Sequence, residues 1–325
     1  MELRRFGATD LRPSSIGLGC ARIGGVFQQD PGGFLDLLSA ALDGGINFFD
    51  TADMYSQGES ESLLGRAFQG RRERVILASK AGYRLPAQRR LAARLKPLLR
   101  PVIRALGLRR ESLPAAVRGE PTQDFSPAYL AAAVEGSLRR LRTDRLDLFQ
   151  LHSPPAAVVE RGEWVQALEA LRQQGKIRYW GVSCDTPEAA RAALRIPGLS
   201  SLQLPLNLFE RGMLPAIASA REKGVPVIVR ETLANGLLAR SSDPADLGPW
   251  CRTAEEAAAR ASQLASFREA AAARGCTLAQ LALRDAMEVA GVAVTLVGAR
   301  TRAQIEDLLR QVAGLDVPSP ARVQA

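Results

Sequence analysis

Short runs of apolar and β-branched residues alternate along the chain with longer segments whose apolar positions recur every three to four residues. The short runs, Ile16–Cys20, Ile46–Thr51, Val75–Lys80, Leu146–His152, Ile177–Ser183, Ser201–Asn207, Val225–Arg230 and Val292–Gly298, read as strands buried on both faces. Between them the spacing predicts helices over Gly33–Asp43, Glu59–Gln69, Pro127–Arg142, Glu163–Gln174, Pro187–Arg195, Leu214–Lys223, Leu278–Val289 and Arg302–Val312, with Gly175 and Gly224 placed to stop two of them. Parallel strands need a crossover between them, and a helix after every strand supplies it. The predicted fold is therefore α/β, a parallel (β/α)8 TIM barrel.

Two stretches break the rhythm, both at the carboxyl end of a strand: about 83–125 after the third, and Glu231–Gly275 after the seventh, the latter with an alanine-rich helical run from Ala254 to Arg274. Barrels build their sites from such loops, so these excursions, with Val26–Pro31, are expected to wall the substrate pocket. No repeat or linker divides the chain, so one barrel domain over 1–317 is expected, with a disordered tail over 318–325.

Composition narrows the function. Of 325 residues 46% are hydrophobic, enough for one large core, yet no run approaches the length of a membrane span. The start, MELRRFGATDLRPSSIGLG, has no apolar stretch of signal-peptide length, and a cytoplasmic location is expected. His152 is the only histidine, which excludes any metal site with two histidine ligands, and no metal is expected. Cys20, Cys184, Cys251 and Cys276 form no CxxC pair and read as free thiols.

The net charge of +9 would suggest a nucleic acid, but it is concentrated in one place. Nine basic residues and no acid lie between Arg84 and Arg110, which leaves 34 basic against 34 acidic residues elsewhere, and no nucleic-acid partner is expected. Leu91, Leu95, Leu98, Leu99, Val102, Ile103 and Leu106 form an apolar stripe opposite these arginines, interrupted by Pro97 and Pro101. The stripe reads as a solvated helix packed on the body, with a lid over anionic substrates or contact with an acidic surface as alternatives.

Four titratable residues fall at or just past the ends of successive strands: Asp50 and Tyr55, then Lys80, then His152. In a closed barrel those ends are neighbours. An ammonium near a phenol favours phenolate, and a carboxylate keeps a buried lysine charged, so Tyr55 is expected as general acid, Lys80 as its tuner with a lowered tyrosine pKa, and Asp50 as the lysine's partner. His152 has two open roles, orienting a carbonyl by hydrogen bonding or relaying a proton to Tyr55. Taken singly, a lysine closing a strand is usually a snorkelling surface group, and a lone histidine in an apolar strand a satisfied core residue.

The segment GGINFFDTADMYSQGESESLLGRAF, from Gly44 to Phe68, closely resembles the aldo-keto reductase signature, in which aspartate and tyrosine are separated by four residues. The resemblance continues in the family's order through VILASKAG, LDLFQLHSP, GKIRYWGVS, LQLPLN and VGARTRAQIEDLL. It implies Asp50, Tyr55, Lys80 and His152 as a catalytic tetrad, Ser183 and Gln203 as partners of a nicotinamide carboxamide, and NADP(H) in preference to NAD(H) as cofactor. Gly298, Arg300, Gln304 and Asp307 would then clasp the adenosine end, with Arg300 the side chain for a 2′-phosphate. GLGCARIGG is no dinucleotide fingerprint, because Arg22 stands where GxGxxG needs its last glycine.

The chain also departs from the family. Gly298 and Gln304 stand where members that prefer NADPH often carry a basic residue, and Leu308 where an adenine-binding asparagine is usual. Cys184 replaces a common asparagine, Arg230 an aromatic ring under the nicotinamide, and Ala21 a tryptophan. A planar guanidinium stacks on a ring or pairs with phosphate, so Arg230 is retained as a cofactor residue.

The function implied is reduction of a small-molecule aldehyde or ketone to an alcohol. A sugar or alcohol dehydrogenase running the same site oxidatively, and a nucleotide-binding regulatory barrel with little turnover, are the alternatives. Substrate and oligomeric state are not legible.

Overall fold

A computed structural model of the chain describes residues 1–24, 31–84, 122–240 and 247–313. Its strands are β1 (Ile16–Gly19), β2 (Phe48–Asp50), β3 (Ile76–Ala81), β4 (Tyr83–Arg84), β5 (Thr122–Gln123), β6 (Leu146–His152), β7 (Ile177–Ser183), β8 (Leu202–Pro205), β9 (Val227–Arg230) and β10 (Val292–Gly298). All but β4 and β5 close into one barrel in the order β1-β10-β9-β8-β7-β6-β3-β2, every contact parallel. This is the (β/α)8 TIM barrel. Strands β4 and β5 form an antiparallel hairpin at the base of the insert after β3.

The helices follow their caps. Ser126 accepts from the Tyr129 amide ahead of the helix Pro127–Leu141, and Thr186 caps Pro187–Ala193 in the same way. Thr277 and Gln280 close a capping box on Leu278–Glu288. The alanine-rich run is a helix, Ala254–Ala273, as its composition suggests. Ala156–Arg161 is a short additional helix between β6 and Val165–Gln173.

The two-residue period of the strands sorts the interior. Phe48, Ile76, Leu148, Ile228 and Val294 form a buried cluster inside the lower barrel, which Phe6 and Leu11 of the N-terminal segment plug from below. Gly17 is required there, since a Cβ would lie 2.8 Å from Val294 Cγ1 and 2.9 Å from Phe48 Cδ1. Advancing two or four residues along the same inward faces reaches Asp50, Lys80, His152 and Arg230. The intervening residues Phe49, Leu77, Phe149 and Val229 face outward and join the core shared with the helices.

Residues 25–30, 85–121, 241–246 and 314–325 lie outside the described residues. They include most of the loop Val26–Pro31, nearly all of the basic stretch over which a helix was expected, and the tail 318–325. Among the described residues, no helix is long and apolar enough to cross a membrane, and no cluster of histidine, cysteine and acidic side chains is arranged to hold a metal.

Candidate active site

The strand ends bring the four titratable residues together. Lys80 Nζ, almost wholly buried, donates to Asp50 Oδ2 at 2.6 Å and to the Thr51 carbonyl at 3.0 Å. The other Asp50 oxygen accepts from Gln203 Nε2 at 2.9 Å, and Gln203 Oε1 accepts from Ser183 Oγ at 3.3 Å. Ser183 pairs with His152 across β6 and β7, and with Gln203 across β7 and β8, so one run of neighbouring strand ends carries the network.

Tyr55 comes from the turn after β2. That turn is secured by Tyr55 N to Ala52 O at 3.1 Å and Gln57 N to Met54 O at 3.0 Å. Its next residues are left-handed, Ser56 at φ 50° and Gln57 at φ 60°, before Gly58 at φ 84°. Non-glycine residues in that region cost about 1 kcal/mol or more each, and such strain persists where surrounding contacts fix the loop. Ser56 Oγ supplies one such contact, donating to the Ile23 carbonyl at 2.9 Å. The result places the Tyr55 ring with Lys80 Nζ 5.2 Å from its centroid and the His152 ring edge-on at 5.6 Å.

Burial sets the protonation of this group. It raises the Tyr55 pKa; Lys80 opposes the rise and Asp50 adds to it, and the net value lies above that of an ordinary tyrosine. This corrects the expectation of a lowered tyrosine pKa: the nearby ammonium does favour phenolate, but desolvation outweighs it. Burial also disfavours charge on Lys80, yet Asp50 and Tyr55 more than compensate, and its pKa is raised. Burial, Lys80 and Arg230 together hold His152 well below the usual histidine range, so its imidazole is neutral, with Nδ1 shielded and unpartnered among the described residues.

These residues face a cavity of about 850 Å³ whose lining includes Asp50, Tyr55, His152, Ser183, Gln203 and Arg230 at one end and Gly298, Arg300, Gln304, Asp307 and Leu308 at the other. Every candidate catalytic or cofactor residue named from the sequence except Lys80 lines it, and Lys80 lies behind the Asp50 carboxylate. At the far end the Arg300 amide donates to Gln304 Oε1 at 2.8 Å, ahead of the helix Arg302–Ala313. Asp307 spends its carboxylate within that helix, on Arg310 and Gln311.

Several residues at this cavity were missed by the sequence reading. Arg230 is gripped by the carboxylates of Asp185 and Glu231, and Ser153 Oγ donates to Asp185 Oδ1 at 2.9 Å. Arg22 bonds Asn235 Oδ1 at 3.1 Å across the cavity and feels the charge of Arg300. Apart from the adjacent pair Arg230–Glu231, no periodicity signals these contacts, because they join loops 32 to 213 residues apart in the chain. Cys184, at the asparagine position, is a buried thiol pushed up to about 12 and stays protonated.

A family model for the aldo/keto reductases matches residues 15–316. The chain belongs to this family. The aldo-keto reductase YhdN of Bacillus subtilis is 30% identical over 328 residues, covering 95% of this chain and 88% of its own. The holo form of aldo-keto reductase AKR11C1 from Bacillus halodurans superposes with a TM-score of 0.79 at 29% identity, covering 98% of this chain and 93% of its own. An aldo/keto reductase from Klebsiella pneumoniae, solved in complex with NADP and acetate, superposes with a TM-score of 0.67 at 25% identity, over 98% of this chain and 92% of its own. An oxidoreductase of the aldo/keto reductase family is thus established, and its acid and its substrate are the next question.

Proposed function

We propose that this aldo/keto reductase is NADP(H)-dependent and reduces an aldehyde or ketone, with Tyr55 as the general acid. The observation that carries the reading is the meeting of the Tyr55 and His152 rings, edge-on at 5.6 Å, at the end of the cavity, with the buried Lys80–Asp50 pair behind them.

The cavity's donor set fits the cofactor. Ser183 and Gln203 offer amide-complementary groups at the catalytic end, Arg230 offers a planar face to a ring, and Arg22 and Arg300 place guanidinium groups along the wall for phosphates. When bound there, NADPH supplies the hydride. The side chains do the rest. Tyr55 donates its proton to the carbonyl oxygen, and Lys80 stabilises the phenolate left behind. Neutral His152 retains one N–H and aims the carbonyl by hydrogen bonding. Asp50 keeps Lys80 charged and, through Gln203, keeps Ser183 in place.

The same residues serve alcohol oxidation in reverse, because each proton transfer is reversible, so the direction is fixed by substrate and cofactor ratio. The test is Tyr55→Phe, which deletes only the proton donor. NADPH binding, followed by cofactor fluorescence, is expected to stay within about twofold, while turnover of a panel of aldehydes and ketones falls by about two orders of magnitude or more. Near-normal turnover in the variant would remove Tyr55 from the acid role. A wild type that binds NADPH and turns over neither carbonyls nor alcohols would favour a regulatory barrel.

A further inference from the structure

Asp53 stands two residues before Tyr55, and the chemistry above gives its carboxyl no task. The residue is half-buried, but Oδ1 is shielded from solvent and has no partner among the described residues. Its backbone amide donates to the Lys80 carbonyl at 3.0 Å, tying it to the catalytic end of β3. The other oxygen, Oδ2, lies 3.0 Å from the hydroxyl of Tyr129, in the first turn of the helix Pro127–Leu141. That hydroxyl also lies 3.0 Å from the carbonyl of Tyr83, whose ring meets His152 edge-on at 5.1 Å.

Tyr129 therefore has two acceptors and one proton. Its own ionisation is suppressed by burial and by the carboxylate of Asp53, so the proton stays. With Asp53 ionised, Tyr129 donates to Oδ2, and its oxygen lone pair is left against the lone pair of the Tyr83 carbonyl. With Asp53 protonated, the acid donates from Oδ2 to the Tyr129 oxygen, and Tyr129 passes its proton to the Tyr83 carbonyl. The three groups are then joined in one chain of bonds, with every proton accounted for.

We propose that Asp53 is a positioning residue which, by deciding the acceptor of the Tyr129 proton, sets how firmly Tyr83 is held against His152, whose ring lines the cavity. Its relevance to catalysis rests on the reductase reading above. Tyr83 is well placed to transmit the change: it begins the β4–β5 hairpin, whose Gln123 is tied to the Ser153 carbonyl at 2.8 Å just past His152.

The charged groups around Asp53 come from several elements. The helix Glu59–Ala67 contributes Glu61, and Pro127–Leu141 contributes Tyr129 and Arg140, with Arg140 bonded to Glu61 at 2.6 Å. From the hairpin side, Arg84 lies 5.4 Å from the Tyr129 ring centroid and pairs with Asp124 at 3.2 Å. Burial and the Glu61 carboxylate outweigh the Tyr129 bond and Arg140, and the Asp53 carboxyl is pushed up to about 7. The switch therefore falls within the range in which an enzyme assay is run.

His152 is the only histidine, so its imidazole gives a single, unambiguous NMR signal. The experiment follows that signal in the ligand-free protein from pH 5.5 to 8.5. The ring-proton shifts are expected to move with a midpoint near 7, while the nitrogen shifts remain those of a neutral imidazole. In Asp53→Asn the site can neither gain nor lose a proton, and the shifts should stay at a single limb's values throughout. In Tyr129→Phe the chain is cut and the inflection should vanish, which also serves as the test if the first variant fails to fold. With saturating NADPH and 4-nitrobenzaldehyde as probe, the wild-type KM should be about threefold lower at pH 6 than at pH 8, the scale of one neutral hydrogen bond. In both variants KM should not change with pH. An inflection that survives in Asp53→Asn, its absence in the wild type, or large nitrogen shifts showing that His152 itself titrates would overturn the proposal. If the inflection is present but no carbonyl is turned over, the reductase reading fails and the coupling of Asp53 to His152 is upheld.

Discussion

Replacing Lys80 by methionine separates what the buried ion pair does for folding from what it does for chemistry. The ammonium makes hydrogen bonds to Asp50 and Thr51, and its loss leaves the Asp50 carboxylate, only 3% exposed in the wild type, with Gln203 Nε2 as its remaining side-chain partner among the described residues. Stranding one member of a buried pair costs about 3 to 5 kcal/mol, a large share of a folded domain's stability. Neutralising the survivor should return much of this. The double variant Asp50→Asn/Lys80→Met is expected to regain about 2 kcal/mol or more over the single one, since an amide is far cheaper to bury than a lone carboxylate. The single variant has a second way out: its Asp50 takes up a proton, so its deficit should shrink between pH 8 and pH 5, whereas that of the double variant should not.

Activity should not follow the same path. Lys80 is the leading influence favouring ionisation of Tyr55. Without it the phenol is a poorer acid, and turnover should fall by about two orders of magnitude or more in both the single and the double variant. Urea unfolding read by the buried Trp164 and Trp180, alongside NADPH oxidation at 340 nm, gives both quantities on the same samples. A single variant that loses less than about 1 kcal/mol, or a double variant no more stable than the single, would refute the account of the pair.

At the opposite end of the barrel, Asp147 accepts from Arg72 at 2.7 Å, Arg178 at 3.0 Å and the Leu77 amide at 2.9 Å, so Asp147→Ala should cost about 2 to 4 kcal/mol in urea unfolding while leaving kcat per folded molecule unchanged. Arg300→Ala should narrow the preference for NADPH over NADH by about 1 to 2 kcal/mol in fluorescence titrations, and an unchanged ratio would remove Arg300 from the 2′-phosphate role. Because the folded-state pKa of His152 is depressed, the stability tied to its neutral form is present above the unfolded value near 6.5 and declines as pH falls below it. Replacing His152 by asparagine should therefore flatten stability against pH below 6.5, and an unaltered slope would contradict the neutral imidazole.

The barrel was legible because parallel strands buried on both faces leave unbroken apolar runs, and because the period of two carries Phe48 to Asp50, Ala78 to Lys80 and Leu148 to His152 on one face. The strand ends were read a residue or two long: Ile46, Asn47 and Thr51 flank β2, although the Asn47 carbonyl and the Thr51 amide still bond to β3 residues. The turn at Ser56 and Gln57 was invisible, since neither residue type announces a left-handed backbone. The direction of the Tyr55 shift was also hidden. Sequence shows that a lysine and a phenol share a barrel end, but how completely both are desolvated is a property of the closed barrel, and that decides the sign.

Arg230 shows what remains beyond sequence reasoning, because its role depends on partners supplied by different loops. The guanidinium lies between Asp185, past the end of β7, and Glu231, which reaches it with a left-handed backbone at φ 62°. Held by two carboxylates, it is a planar group with little freedom to turn, unlike the free cation that a list of basic residues suggests. An anion entering the cavity must compete with both carboxylates for its N–H groups, whereas a ring stacking on its face need not disturb them. The ion pairs thus favour use of Arg230 as a platform beneath the cofactor's ring, the place an aromatic side chain takes in many relatives. They leave Arg22 and Arg300 as the pair whose repulsion a phosphate would relieve, since burial first, and then the charge of Arg300, depress the Arg22 pKa.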